Sequence, residues 1–133
     1  MSSLKAFLNP VKVENKEIIV SDRFVEDGKV VPFIIKPITQ KENEILMKKY
    51  TRKGKNGEEI FDRTKYSQGM TASAVVFPNL ADAELQSVYG LGEAECLVNM
   101  LLVGEFAKLM DEVQKLSGLD SDINTDIEEA KNE

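Results

Sequence analysis

Val, Ile and Phe crowd the stretch EIIVSDRFVEDGKVVPFIIK, residues 17–36, in two runs on either side of Asp27-Gly28. That dipeptide is a strong signal for a two-residue turn whose central residues both need positive φ. The pattern predicts a β-hairpin over 17–36, with Glu26 facing Lys29 as an opposite-charge pair and Val25 facing Val30. Pro32 has no N–H to give a ladder, so the second strand is expected to be an edge or to carry a bulge there. A lone hairpin is marginal in water, and this one must lean on helices or on another molecule.

After Pro37 the apolar period lengthens to that of a helix. Thr39-Gln40-Lys41-Glu42 matches a capping box and opens a helix over 40–50, with Leu46 and Tyr50 on its inner face. Residues 64–77 place Tyr66, Met70, Ala74 and Phe77 at helical spacing until Pro78 breaks the run. Asn79 is expected to cap a helix over 80–89 that carries Leu85, Val88 and Tyr89, with Gly90 closing it in the left-handed conformation. GEAECLVNMLL predicts a helix over 93–103, and EFAKLMDEVQKLSG predicts one over 104–117 with Phe106, Leu109, Met110, Val113 and Leu116 on one face and Gly118 as terminator. Short links make such helices pack side by side. The fold class read from this pattern is α+β, mostly helical: an N-terminal β-hairpin, a bundle of four to five short helices and a flexible acidic C-terminal tail. Residues 1–118 form one domain and 119–133 the tail.

Composition narrows the chemistry by what is missing. The chain has 133 residues and no His, which removes the usual proton shuttle, the commonest transition-metal ligand and Ser-His or Cys-His catalysis. Its one cysteine, Cys96, can neither form an internal disulfide nor build a zinc site, and it belongs by pattern to the helical core. GKNGEE at 54–59 puts acids where a phosphate loop needs Lys and a hydroxyl. No catalytic, cofactor-binding or metal-binding residues are therefore assigned. No apolar run is long enough to span a bilayer, and the start lacks a signal-peptide pattern.

Charge is split along the chain: residues 1–65 carry net +4 and residues 66–133 net −10. Such a split can drive association between copies or steer a basic partner. The basic run Lys48, Lys49, Arg52, Lys53 and Lys55 raises nucleic-acid binding as a reading, but only Tyr50 interleaves with it. A solvated loop or a cation-stabilised helix end explains the run better, and no nucleic-acid partner is expected. The tail LDSDINTDIEEAKNE raises calcium: Asp120, Asp122, Asn124, Asp126 and Glu128 fall at EF-hand ligand spacing. Thr125 stands where that loop requires Gly, and Lys131 where it requires Glu, so the tail reads as a solvated acidic segment.

FPNLADAELQSVYG, the Leu-rich helix after it and VGEFAKLMDEVQKLSG together resemble the XkdN-like family of phage tail assembly chaperones. SLKAFLNP, the strand pair and the KPIT helix start are similar to that family in order and spacing, so the likeness runs from about Ser3 to Asn132. The resemblance implies a non-catalytic protein of a phage or prophage, working in the bacterial cytoplasm and absent from the mature virion. Its client would be the tape measure protein, kept soluble until tail tube protein polymerises around it. Family members often have a frameshift-extended form, and Ala130-Lys131-Asn132 is compatible with the codons GCA AAA AAC, which contain a run suited to a minus-one slip. The tail would then be a linker to that extension. Candidate partner-binding residues are Leu85, Val88, Tyr89, Phe106, Leu109 and Met110, on the helices at 79–89 and 93–117, and homo-oligomers are a further expectation. The alternative function is a structural tail protein, of tube or terminator type, retained in the virion.

Overall fold

In the computed structural model, which describes residues 4–119, the tight turn forms at Asp27-Gly28 with φ of 53° and 78°. β2 (Val25–Glu26) and β3 (Lys29–Val30) flank it in the expected register, Val25 opposite Val30 and Glu26 opposite Lys29. Lower down, β1 (Lys16–Ile18) pairs with β4 (Phe33–Ile35), Ile18 opposite Phe33. Between the two ladders the first arm makes an excursion over residues 19–23 while the second passes through Pro32 alone. The proline cannot donate to a ladder, and the irregularity sits opposite it.

β4 is not an edge. β7 (Val75–Phe77) lies on its other side, giving a three-stranded sheet in the order β1-β4-β7. The helix expected over 64–77 accordingly stops early, as α3 (Arg63–Ala74), and Phe77 is a strand residue. Two β-branched residues and an aromatic fit a pleated surface better than a helix, and the residue before a proline favours extended backbone. The N–H of Lys36 donates to the Ala74 carbonyl at 2.8 Å and fastens the junction.

α2 (Gln40–Lys49) starts with the capping box read from the sequence: the Thr39 hydroxyl accepts from the Glu42 N–H at 3.2 Å, and Glu42 accepts from the Thr39 N–H at 3.1 Å. Lys36 also donates to Glu42 at 2.8 Å, and these bonds, Lys36 foremost, hold that carboxyl below its ordinary pKa. The basic run divides: Lys48 and Lys49 are the last turn of α2, the expected cationic helix end, and Arg52 and Lys53 belong to a strand, with Lys55 in the turn after it. The strand is half of a second hairpin, β5 (Thr51–Lys53) with β6 (Glu59–Phe61), turning through Gly57 at φ 81° and setting Lys53 opposite Glu59.

α3 lies against α2, α5 (Glu93–Met100) and α6 (Val103–Leu116). At Gly69 a Cβ would come 2.4 to 2.7 Å from the hydroxyl and ring of Tyr50, so α2 and α3 approach through this glycine. Gly69→Ala is expected to lose about 1 kcal/mol net in a denaturant melt, because overpacking costs about 1–3 kcal/mol and helix propensity returns less than about 1. The core joins Ile35 of the sheet to Leu97, Leu109, Val113 and the Cys96 thiol, all fully buried.

The cap of α4 (Ala83–Tyr89) is Asp82, whose carboxylate accepts from the Leu85 N–H at 3.0 Å. Asn79, the expected cap, instead accepts from the Ala81 N–H at 3.0 Å and shapes the turn leading in. Asp82→Ala should therefore cost about 1 kcal/mol in a thermal or denaturant melt, and more than Asn79→Ala. Gly90 ends α4 at φ 136°, ψ 154°, an extended mirror-image conformation rather than the left-handed helical one, still favourable only for glycine. Gly118 closes α6 in the expected way: at φ 86° it donates to the Lys115 carbonyl at 3.1 Å, and Leu119 donates to Gln114 at 2.8 Å. One helical turn, α1 (Lys5–Leu8), precedes the sheet and has no counterpart in the expected elements. The tail with its calcium-like spacing, linker role and frameshift site falls almost wholly on 120–133, outside the described residues.

Candidate partner-binding surface

The excursion in the first hairpin arm carries Arg23 to the start of α6, and this contact fixes the hairpin tip over the helices. The guanidinium donates to both carboxylate oxygens of Glu105, at 2.5 and 3.0 Å, and to the Met100 carbonyl at 3.2 Å. It also lies 5.1 Å from the centroid of the Phe24 ring, a cation–π distance. Two parallel donors on one carboxylate give a charge-assisted bond of defined geometry. Glu105 additionally accepts from the Leu102 N–H at 2.8 Å, covering an open donor at the start of α6.

These bonds, the one from Arg23 first, then Ser21 and the Leu102 N–H, lower the Glu105 carboxyl to about 2, while Arg23 is raised. A carboxyl whose pKa falls on folding adds stability above its ordinary range, and that contribution disappears as pH drops toward the folded value. The clamp should hold at pH 4 and open as the pH approaches 2. A carboxyl-carbon NMR titration is expected to place the Glu105 midpoint near 2, against the ordinary 4.5.

Beneath the clamped tip runs a groove of about 360 Å³, with Phe24, Pro32 and Phe33 on the hairpin side and Phe77, Leu85 and Tyr89 facing them. Phe24 and Phe33 meet at 5.7 Å between centroids, so the hairpin wall is one aromatic surface. Tyr89 is also tied to the helices at its carbonyl, which accepts from the Asn99 amide at 2.6 Å. Next to the groove wall, Val88 is 69% exposed and Leu91 85% exposed, and Leu102 and Val103 stand out at the other end of α5. The segment 79–100 that builds α4 and α5 has four charges, Asp82, Glu84, Glu93 and Glu95, all exposed and all acidic.

The six candidate residues do not form one site. Leu85 and Tyr89 line the groove, and Val88 stands beside them in solvent. Phe106 and Met110 are half-buried on α6, away from the groove lining. Leu109 is a correction: it is fully buried and has no surface to offer a partner. The 3–4 spacing of Phe106, Leu109, Val113 and Leu116 is the stripe by which α6 packs on the core. Sequence reasoning missed Phe24, Pro32 and Phe77 as groove residues. Their signal was an aromatic outside a regular alternation and a proline in a strand, and neither says what lies opposite.

Among the described residues, no three His, Cys, Asp or Glu side chains cluster as metal ligands. No described helix is long and apolar enough to cross a membrane. Burial pushes the Cys96 thiol up, away from the thiolate a nucleophile needs. The surface offers hydrophobic and aromatic contact with an acidic border.

Residues 4–131 match the model of the phage XkdN-like tail assembly chaperone family. The chain is 32% identical over 127 residues to the protein YqbN of Bacillus subtilis strain 168, covering 90% of this chain and 85% of that protein. It is 28% identical over 129 residues to the phage-like element PBSX protein XkdN of the same strain, covering 92% and 87%. The crystal structure of YqbN superimposes with a TM-score of 0.77 at 26% identity, covering 90% of this chain and 99% of that one. The chain belongs to the phage XkdN-like tail assembly chaperone family.

Proposed function

We propose that this chain binds the tape measure protein of its phage or prophage and keeps it soluble while the tail is assembled, without catalysis. Family membership over residues 4–131 is the observation that carries this reading. The surface chemistry supports it. A long helical client offers repeated apolar stripes, and the exposed turns around Val88 and Leu91 and around Leu102 and Val103 provide shallow apolar contacts for them. α5, eight residues long, holds those turns about 12 Å apart. Contacts of this kind are weak singly and gain strength by repetition.

The same reading places the protein in the bacterial cytoplasm, with the tail tube protein and a frameshift-extended form of itself as further partners, and outside the finished virion. Co-expression with the tape measure protein tests it: soluble yield and co-purification of the client should both rise when this chain is present. A client that stays insoluble and unassociated, with any extended form also supplied, would overturn the reading. Peptides of this chain in many copies in purified particles would favour a structural tail protein instead. A gene in which residues 130–132 are spelled without a run of A would end the frameshift proposal.

A further inference from the structure

The last described residues lie beside the first turn of α2. The Ile38 N–H donates to the Ser117 hydroxyl at 2.8 Å, which fastens the end of α6 to the residue before the cap of α2, and Leu119 shares a depression with Gln40 and Asn43. From that depression one row of side chains runs the length of α2. Asn43 donates to the Met47 sulfur at 3.7 Å, and the Thr51 hydroxyl donates to the Met47 carbonyl at 2.7 Å. Gln40, Asn43, Met47 and Thr51 follow the i+3 and i+4 spacing of a single helix face.

The row ends in a basic cleft. Met47, Lys48, Thr51, Arg52, Lys53 and Glu59 border about 320 Å³ between the last turn of α2 and the second hairpin. Lys48, Arg52 and Lys53 are exposed, and among the described residues none of the three is ion-paired. Glu59, across the ladder from Lys53, is the one acid in the lining, so the cleft keeps an excess of positive charge. Met47 is 45% exposed and gives it an apolar side. Three cations converging on an apolar side chain suit an anionic segment that also carries an apolar residue.

The sequence after Leu119 has that chemistry. Residues 120–133 hold Asp120, Asp122, Asp126, Glu128, Glu129 and Glu133 against the single Lys131, net −5, with Ile123 and Ile127 among the acids. The reach is short. Asn43 and Met47 are about 6 Å apart along the helix axis, and four extended residues cover up to about 14 Å. An attachment of this length corresponds to a local concentration of the order of millimolar, which favours the chain's own acidic segment over a separate acidic molecule.

We propose that residues 122–129 dock in this basic cleft of their own molecule, with carboxylates facing Lys48, Arg52 and Lys53 and an isoleucine covering Met47. The basic run that raises nucleic acid as a partner in the sequence then has its anion within the chain. The inference goes beyond the chaperone reading and does not depend on it, because no client takes part.

Backbone NMR relaxation and amide shifts of the full chain test it. Order parameters of residues 122–129 should exceed about 0.6 at about 0.01 M salt and fall below that near 1 M, where the screening length shrinks from about 30 Å to about 3 Å. The amides of Met47, Thr51 and Arg52 should shift in step. Two full-length variants reverse one side each: Lys48→Glu with Arg52→Glu in the cleft, and Asp126→Lys with Glu128→Lys in the acidic segment. Each should abolish the order at low salt, and all four substitutions in one chain should restore it. Circular dichroism checks the fold of each variant, and the second pair leaves every described residue unaltered, so it decides the matter even if the cleft variant does not fold. Low order parameters in the unaltered chain at low salt, order that survives the reversal of the acidic segment, or no restoration in a folded fourfold variant would each overturn the proposal. Order that rises only with protein concentration would put the segment on a second copy. Cleft amides that answer to short duplex DNA but not to reversal of the segment would mark a nucleic-acid site, and either result would equally overturn docking within one molecule.

Discussion

Leu109→Asp is expected to leave the chain unfolded at room temperature, while Val103→Asp, two turns earlier on the same helix, folds normally. Leu109 is 0% exposed and Val103 91%, although both are apolar residues of α6. Removing the buried Leu side chain alone costs about 2–5 kcal/mol, and an unpaired carboxylate left in its place adds several more. A domain of this size is stable by only about 5–15 kcal/mol, so the sum is comparable with the whole. Leu109→Ala removes the first contribution without the second, and it should lower the melting temperature by roughly 10 °C while the chain still folds. Far-UV circular dichroism with thermal melts reads all three variants. Native-like melting of Leu109→Asp would mean that α6 does not pack as described.

That contrast also shows where the sequence stops being informative. A stripe at 3–4 spacing identifies the buried side of α6 but not whether another element or another molecule covers it. The elements that are legible carry their own local chemistry: Asp27-Gly28 for the turn, Thr39 and Glu42 for the start of α2, and Gly118 for the end of α6. Where pattern and structure differ, distant partners decide. Tyr66, Met70, Ala74 and Phe77 fit a helix by spacing, whereas the local preference of Val75, Val76 and Phe77 for extended backbone is satisfied by pairing with the open side of β4. The cap of α4 lies three residues beyond the expected one: Asn79 and Asp82 are both good caps by residue type, and in the fold Asn79 shapes the turn before the helix while Asp82 caps it. The groove is least legible of all. Its walls come from residues 23–33, 77–78 and 85–100, and it exists because the Arg23–Glu105 pair holds a hairpin tip against helices some 80 residues further along the chain.

If the chain holds the tape measure protein as proposed, the double variant Val88→Asp, Leu91→Asp is expected to lose it while keeping the fold. Both side chains stand in solvent, so their replacement should change stability by no more than about 0.5 kcal/mol each. The effect on a client is of another size. Withdrawing each apolar side chain from the client should weaken binding by about 1–2 kcal/mol, and two new carboxylates beside Asp82, Glu84, Glu93 and Glu95 must be desolvated against an apolar stripe, so retention should fall at least about tenfold. Co-purification of the client measures that fall, and circular dichroism checks that the fold is intact. If retention did not fall, the client would be held elsewhere, and Val88 and Leu91 would have no part in it.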